Sequence, residues 1–259
     1  MVGDSTLPLS DSSVGHGSKG ASLNIHTELV TYHHAATTYT GMFAWDDSCA
    51  QKRPGVLVVH GGAGLDDHAK GRAVRVAEMG YLAFACDMYG EGTAGDRGRV
   101  MSKIMELRTD PDRLCAVASA GLGLLRSHSL ADDRIAALGY CFGGMTVLEL
   151  ARSGADLRAA ISVHGTLSTP VPAFPGKIQS KLLICHGALD PHVPLTQVTT
   201  FIEEMSAAKA DWQLIAYSGA QHGFTHENAT NAPGVAYNAQ ADARSQLHIR
   251  IFLQEIFIQ

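Results

Sequence analysis

A cysteine between two glycines, in the segment Gly139-Tyr140-Cys141-Phe142-Gly143, has the pattern of a nucleophile elbow. Such an elbow is a sharp turn from a strand into a helix that presents a catalytic nucleophile at its tip. The flanking glycines let the strand and the helix approach closely, and the helix N-terminus favours the thiolate form of the cysteine. The pattern alone is a weak signal in a chain with 27 glycines and five cysteines. Its position between a predicted strand and a predicted helix strengthens it.

Two polar residues follow later strands in the order expected for a catalytic triad. Asp190 comes after the predicted strand at 181–187, and His222 comes after the predicted strand at 212–218. The order nucleophile, acid, base is the one this kind of sheet uses. We therefore predict that Cys141 attacks the substrate, that His222 holds and transfers the proton, and that Asp190 orients the imidazole.

The backbone N–H groups of Phe142 and Gly62 are predicted to form the oxyanion hole. Small residues at 61–64 would allow the backbone to approach a developing negative charge, and one such donor is typically worth about 2.7–4 kcal/mol. Two alternatives stay open for the acid and the base. Asp190 has the sequence context of a turn residue before a proline, and His226 competes with His222 as the base.

Strands and helices alternate along the chain from Leu23 onwards. Strands are predicted at 23–32, 38–46, 55–60, 81–86, 134–140, 158–165, 181–187 and 212–218, and helices at 67–79, 98–128, 142–153, 195–209 and 235–258. Within the long helical stretch, Pro111 after Asp110 has the pattern of a first helical residue. This alternation predicts an α/β fold with a mostly parallel, doubly wound sheet of about eight strands flanked by helices. Functional groups in such a sheet collect at the carboxyl ends of the strands.

The composition limits the classes of function. The chain has 259 residues, 46% hydrophobic residues and a net charge of −5, so it can bury a large core and has no basic excess to bind nucleic acid. No apolar run reaches the roughly 18 residues of a membrane span. Five scattered cysteines without a CxxC pair predict a reduced, cytoplasmic protein in which the cysteines other than Cys141 are buried. No HExxH motif or cysteine pair indicates a metal site.

Two segments of different character divide the chain. Residues 1–22 are rich in serine and glycine and are predicted to be a disordered leader, whereas residues 23–259 are predicted to form a single domain. The expected partner is a small-molecule ester, with no nucleic acid and no membrane, and the expected state is a monomer or a weak dimer.

The chain resembles the dienelactone hydrolase family, within the α/β-hydrolase fold, over residues 25–258. The resemblance rests on the cysteine elbow and on three further motifs: Asp87-Met88-Tyr89, His186-Gly187-x-x-Asp190-x-x-Val193 and His222-Gly223-Phe224. It implies that Cys141, Asp190 and His222 are the catalytic residues. It also implies hydrolysis of esters or lactones without a metal or another cofactor.

Two departures from the family pattern bear on the substrate. Members of the family have a glutamate after the third strand that pairs with the resting thiol, and Gly61 stands at that place. Members of the family that act on dienelactone also have two arginines that hold the substrate carboxylate. At those two positions this chain has Glu91 and His226. We therefore expect neutral, apolar esters to be preferred over anionic ones. Hydrolysis of phosphotriesters by the same triad is the alternative, and a non-catalytic binding protein of the same fold is a further one.

The apolar residues next to these motifs are candidates for the substrate pocket. Together with the two positions just named, the predicted pocket residues are Leu65, Met88, Tyr89, Glu91, Phe224 and His226. Ordinary packing in the core is an equally open interpretation for each apolar member.

Overall fold

The computed structural model of the protein describes residues 23–229 and 232–258. Within these residues the chain forms eight strands and six helices. The strands are β1 (Ile25–His34), β2 (Thr37–Asp46), β3 (Arg53–Val59), β4 (Leu82–Cys86), β5 (Ala131–Tyr140), β6 (Ala159–Val163), β7 (Lys181–Gly187) and β8 (Trp212–Tyr217). The helices are α1 (Asp67–Glu78), α2 (Arg97–Thr109), α3 (Pro111–Ser127), α4 (Phe142–Ser153), α5 (Leu195–Ala208) and α6 (Ala239–Ile258). The predicted leader, residues 1–22, lies outside the described residues.

All eight strands belong to one sheet, in the order β1-β2-β4-β3-β5-β6-β7-β8. β1 pairs with β2, and β2 pairs with β4, in antiparallel register, whereas every other pair is parallel. The α/β-hydrolase fold class predicted from the alternation of strands and helices is confirmed. The carboxyl ends of β3, β5, β6, β7 and β8 therefore meet along one edge.

The central strands are buried on both faces, which explains their continuous apolar sequences. In β3, Leu57 and Val59 pack into the cluster beneath α3, α4 and α5, whereas Val56 and Val58 face the cluster beneath α1 and α6. All four are fully buried. Full burial of one such side chain stabilises the fold by about 1.5–3 kcal/mol. The helices thus cover both faces of the sheet.

The predicted helical stretch at 98–128 is divided into two helices. α2 ends at Thr109, and Asp110 caps α3 by accepting a hydrogen bond from the backbone N–H of Arg113. Pro111 is the first residue of α3, where its missing N–H is not needed. Among the residues that the structure describes, no helix is long and apolar enough to cross a membrane.

Candidate active site

Cys141 lies at the sharp turn between β5 and α4, in a backbone conformation with φ 54° and ψ −112°. Non-glycine residues rarely adopt such a conformation, and it costs of order 1–3 kcal/mol. The turn is tight enough to require glycine on both sides. A Cβ atom on Gly139 would lie 2.0 Å from the carbonyl oxygen of Gly143, and one on Gly143 would lie 2.2 Å from that of Val59. The predicted elbow geometry is therefore present.

The three residues predicted to form a triad are joined in a chain of contacts, with His222 between Cys141 and Asp190. His222 Nε2 lies 3.1 Å from Cys141 Sγ, and His222 Nδ1 lies 2.8 Å from Asp190 Oδ2. The other carboxylate oxygen of Asp190 accepts hydrogen bonds from the backbone N–H groups of His192 and Val193. Asp190 is thus fixed by its own turn, and His226 takes no part in this chain of contacts.

The electrostatics of these three residues favour a thiolate–imidazolium pair. Burial raises the pKa of Cys141, but the hydrogen bond and the charge of His222 outweigh it and lower the pKa below its ordinary value. Burial lowers the pKa of His222, yet its hydrogen bonds to Asp190 and Cys141 raise the pKa to about 10. For Asp190, burial opposes ionisation, whereas His222 and the two backbone donors lower the pKa.

The backbone N–H groups predicted for the oxyanion hole face the sulfur of Cys141. Those of Phe142 and Gly62 both donate toward the thiolate and help to lower its pKa. Tyr89 stabilises the turn that carries Gly62. Its hydroxyl donates to the carbonyl oxygens of Gly61 and Gly62, each at 3.3 Å. His60 also bonds the carbonyl of Gly61, at 2.7 Å.

A buried polar network lies beneath the elbow. The backbone N–H of Cys141 donates to His164 Nδ1 at 3.1 Å, so the proton of the neutral His164 ring sits on Nε2, 2.9 Å from Thr225 Oγ1. Thr225 in turn contacts His68 Nε2 at 3.1 Å. Burial holds the pKa of His164 well below its ordinary value. The sequence gives His164 only a position after a strand, which is equally typical of a packing residue.

An open cavity of about 740 Å³ lies in front of Cys141 and His222. Its walls come from the start of α1 and from the segment between β8 and α6. The lining residues are Gly62, Ala63, Asp66, Asp67, His68, Gly71, Arg72, Arg75, Cys141, His222, Gly223, Thr225, His226, Glu227, Asn228, Ala229, Ala232 and Val235. Of the six predicted pocket residues, His226 lines this cavity.

The other five predicted pocket residues do not line this cavity. Met88, Tyr89 and Phe224 are almost fully buried and pack in the two core clusters. Leu65 packs against the core and does not reach the cavity. Glu91 is exposed, and its backbone N–H donates to the carbonyl oxygen of Thr38. Apolar residues beside a motif pack in the core because burial of their side chains stabilises the fold.

The remaining cysteines are not all buried, contrary to expectation. Cys86 and Cys185 are buried, but Cys49 is exposed and Cys115 is partly exposed. Burial raises the pKa of Cys115 and of Cys185 to about 12, which makes both thiols unreactive near neutral pH. Within residues 23–229 and 232–258, no group of three or more His, Cys, Asp or Glu side chains could hold a metal ion.

Residues 41–257 match the model of the dienelactone hydrolase family. The chain belongs to the dienelactone hydrolase family. The resemblance inferred from the elbow and the three motifs is confirmed, and the protein is a hydrolase that acts on ester bonds.

Three relatives illustrate where this dienelactone hydrolase family member stands. The crystal structure of the dienelactone hydrolase-like promiscuous phosphotriesterase P91, from metagenomic libraries, is similar with 38% identity and a TM-score of 0.85, over 90% of this chain and 99% of that one. An uncharacterized protein of Caenorhabditis elegans, K02A2.1, is 40% identical over 53% of this chain and 90% of its own length. A Yersinia pestis protein named "Putative carboxymethylenebutenolidase" is 29% identical over 73% of each chain.

The side chains that line the cavity of this family member carry a net negative charge. Asp66, Asp67 and Glu227 contribute carboxylates to its walls. Arg72 also lines it, but this buried guanidinium is paired with Asp242 at 2.9 Å. Burial lowers the pKa of both lining histidines, His68 and His226, so neither adds a positive charge at neutral pH.

Proposed function

We propose that the protein hydrolyses neutral carboxylic esters or lactones through a thioester on Cys141. The single observation that carries the proposal is the continuous contact from Asp190 through His222 to Cys141, at 2.8 and 3.1 Å. Together with the opposed pKa shifts of the cysteine and the histidine, it supports a thiolate ready to attack a carbonyl carbon.

The reaction proceeds in two steps. The thiolate of Cys141 attacks the carbonyl carbon, and the developing oxyanion accepts hydrogen bonds from the backbone N–H groups of Gly62 and Phe142. The C–O bond then breaks, and His222 protonates the departing alkoxide where that group needs a proton. Water attacks the thioester in the second step, which releases the acid and restores the thiolate.

The charge of the cavity supports a neutral substrate. The carboxylates of Asp66, Asp67 and Glu227 repel an anionic acyl group, and the buried Arg72 is already neutralised by its partner. An arginine clamp for a carboxylate would need a free, planar guanidinium near the thiol. Arg75, the second arginine of the wall, lies at the solvent side and bonds Gln246.

The test is turnover of p-nitrophenyl butyrate by the wild-type protein and by the Cys141→Ala variant. We expect release of p-nitrophenol by the wild-type protein only, together with a butyryl adduct on Cys141 in the intact-mass spectrum of the quenched reaction. Undiminished activity in Cys141→Ala would assign the chemistry to another group. Turnover without any adduct on Cys141, retained in Cys141→Ala, would refute the thioester.

Hydrolysis of phosphotriesters is the second candidate, and the similarity to the phosphotriesterase P91 favours it. In this reaction the sulfur of Cys141 attacks phosphorus, and the two backbone donors bond the phosphoryl oxygen. Neutral triesters suit the acidic cavity, whereas phosphodiester anions do not. The test is turnover of diethyl p-nitrophenyl phosphate and of its diester counterpart, assayed in parallel. We expect hydrolysis of the neutral triester and not of the anionic diester.

A further inference from the structure

The peptide unit that joins Gly61 to Gly62 supplies one of the two N–H groups that face the candidate nucleophile. This N–H belongs to Gly62 and donates toward the sulfur of Cys141. The carbonyl oxygen of the same peptide unit belongs to Gly61. Because the peptide is planar and trans, its N–H and C=O point in opposite directions. Any group that fixes the carbonyl therefore also fixes the direction of the N–H.

Rotation of this peptide unit has little steric cost. Both residues that flank it are glycines, and without a Cβ atom each tolerates a wide range of backbone angles. A turned-over peptide would direct the carbonyl oxygen of Gly61 toward the sulfur of Cys141 and repel both a thiolate and an oxyanion. The orientation seen in the structure thus depends on hydrogen bonds rather than on the backbone alone.

His60 supplies one of these hydrogen bonds. Its Nδ1 lies 2.7 Å from the carbonyl oxygen of Gly61, and its Nε2 lies 3.0 Å from the backbone nitrogen of Met88. Since the carbonyl can only accept and the N–H of Met88 can only donate, the proton of the neutral ring is on Nδ1. The side chain of His60 is fully buried. The ring therefore directs a single N–H at this carbonyl.

Tyr89 supplies a second donor on the same side. Its hydroxyl lies 3.3 Å from the carbonyl oxygens of both Gly61 and Gly62. Burial and the negative charge of the Cys141 thiolate raise the pKa of Tyr89, so the hydroxyl keeps its proton and donates it. The backbone N–H of Gly64 closes the turn by donating to the carbonyl of Gly61 at 3.2 Å.

The motif Asp87-Met88-Tyr89 holds both of these side chains. Asp87 Oδ1 accepts the backbone N–H of Tyr89 at 2.9 Å, which fixes the turn after β4. The N–H of Met88 determines which nitrogen of His60 carries the proton. Three consecutive residues of this motif therefore act on one peptide unit.

The same two side chains pack against the residue that supplies the second N–H group. The ring of Phe142 lies 6.3 Å from that of His60 and 5.5 Å from that of Tyr89, between centroids. The rings of His60 and Tyr89 are 4.6 Å apart and meet edge to face. Contacts of this kind fix the relative positions of the rings.

We propose that His60 and Tyr89 are positioning residues that orient and polarise the Gly61–Gly62 peptide for the oxyanion hole. Their hydrogen bonds to the carbonyl prevent the peptide from turning over. The same bonds draw electron density away from the peptide nitrogen, which makes the N–H of Gly62 a stronger donor. Neither side chain needs to touch the substrate. The inference rests on the proposed function, because it concerns the oxyanion that forms when Cys141 attacks an ester.

The test is the rate constant for acylation of Cys141 by p-nitrophenyl butyrate, measured by stopped-flow over a range of substrate concentrations. Tyr89→Phe removes only the hydroxyl, and we expect it to lower this rate constant by about 10-fold. The apparent dissociation constant of the substrate should stay within about twofold of the wild-type value, because the interaction matters only in the transition state.

Variants of His60 separate its N–H from its ring. His60→Phe keeps an aromatic ring but removes the donor, and we expect a loss of about 10²-fold in the acylation rate constant. His60→Asn places an amide N–H at the position of Nδ1 and should retain more of the rate than His60→Phe. The double variant with Tyr89→Phe should lose no more than about 10³-fold, which is the worth of one oxyanion donor.

Two controls distinguish this role from a general loss of structure. Tyr217→Phe removes another buried hydroxyl, which contacts Cys185 and His248, and it should acylate like the wild-type protein. Alkylation of Cys141 by iodoacetamide forms no oxyanion. At a pH where this thiol is fully ionised, the alkylation rates of all variants should therefore agree within about twofold.

The outcomes separate the positioning role from the proposed function. Unchanged acylation in Tyr89→Phe and in His60→Phe, or equal losses in acylation and alkylation, would overturn the role of these side chains. Because Tyr89→Phe deletes a single oxygen atom, it decides the matter even where His60→Phe does not fold. A wild-type protein that turns over the ester without any butyryl adduct on Cys141 would instead refute the thioester itself.

Discussion

The backbone N–H of Cys141 donates to Nδ1 of His164, so the candidate nucleophile and a fully buried histidine are joined directly. The same N–H also lies 3.0 Å from the carbonyl oxygen of Val163. His164 therefore holds the backbone of the elbow through its side chain. Its own backbone has a positive φ of 42°, at the end of β6.

Replacement of this histidine should loosen the elbow without removing a reacting group. We expect His164→Asn, which tolerates a positive φ, to lower the free energy of unfolding by about 1–3 kcal/mol because Thr225 loses its buried partner. Thr225→Val interrupts the same network from the other end. Urea unfolding of both single variants and the double variant should give less than additive losses, and strict additivity would show that the network is not coupled.

Alkylation at different pH values should distinguish Cys141 from the other thiols. At pH 6 an ordinary cysteine, with a pKa near 8.5, is almost wholly protonated, whereas the hydrogen bond and the charge of His222 lower the pKa of Cys141 and so favour its thiolate. We expect iodoacetamide at pH 6 to add one label, at Cys141, and to abolish activity. At pH 8.5 the exposed Cys49 should acquire a second label. Cys49→Ser is the control, and its inactivation at pH 6 should match that of the wild-type protein.

Asp190→Asn should retain the fold and lose much of the catalysis. An amide cannot support the imidazolium of His222, and it can hold the wrong tautomer of the ring. The corresponding change in a serine protease costs about 10⁴-fold in kcat. We expect a smaller loss, because a thiol ionises more readily than a serine hydroxyl. Kinetics with p-nitrophenyl butyrate measure it, and unchanged turnover would assign the acid to another residue.

The lowered pKa of Asp190 and the raised pKa of His222 predict how the stability and the activity of the wild-type protein depend on pH. The pKa of Asp190 is lowered in the folded protein, so its ionised form stabilises the fold at neutral pH. That contribution is lost as the pH falls through the lowered pKa. On the alkaline side, activity with unactivated esters should decline only as the pH approaches 10, where His222 loses its proton. A decline centred near pH 7 in kcat/KM would contradict the ion pair.

Substrate charge should matter through the carboxylates of the cavity wall. We expect p-nitrophenyl butyrate to exceed the mono-p-nitrophenyl ester of glutaric acid in kcat/KM by about tenfold or more, and the difference to shrink in 1 M salt. Glu227→Gln removes one of the carboxylates and should narrow the difference. A preference for the anionic ester would point to a cation within reach of the acyl chain.

Two glycine substitutions should have opposite effects on stability. Gly143→Ala places a Cβ atom 2.2 Å from the carbonyl oxygen of Val59 and should destabilise the protein by about 1–3 kcal/mol or more. Gly123 lies in α3, where an added Cβ would meet nothing within 4 Å. Gly123→Ala should therefore stabilise the protein by about 0.5–1 kcal/mol. Thermal unfolding of both variants provides the comparison, and equal effects would refute the tight elbow.

The sequence was most informative where burial or chain geometry dictates residue type. Runs such as those of β3 and β7 are apolar because both faces of the sheet are covered, so the strands were predictable to within a few residues. The elbow was predictable because only glycine fits two residues before and two residues after Cys141. The candidate acid and the candidate base follow the ends of later strands, as the order of the motif predicts.

The cavity and the buried network were not predictable in the same way. Their residues, such as Asp66, Arg72 and Thr225, are polar, come from two distant segments of the chain and follow no periodic pattern. Their positions depend on how the segment after β8 packs against α1. The apolar residues beside the motifs, such as Phe224, pack in the core and do not line the cavity.

The segment between β8 and α6, which supplies about half of the residues that line this cavity, is anchored at two points close to each other. The backbone of His222 accepts the N–H of Ala236 and donates to the carbonyl oxygen of Gly234, and Gly234 packs against Pro191. Insertions or deletions between these anchors would alter the shape of the cavity while His222 keeps its place beside Cys141. Selection can therefore diversify substrate recognition independently of the reacting groups, and loop exchange in the laboratory can exploit the same separation.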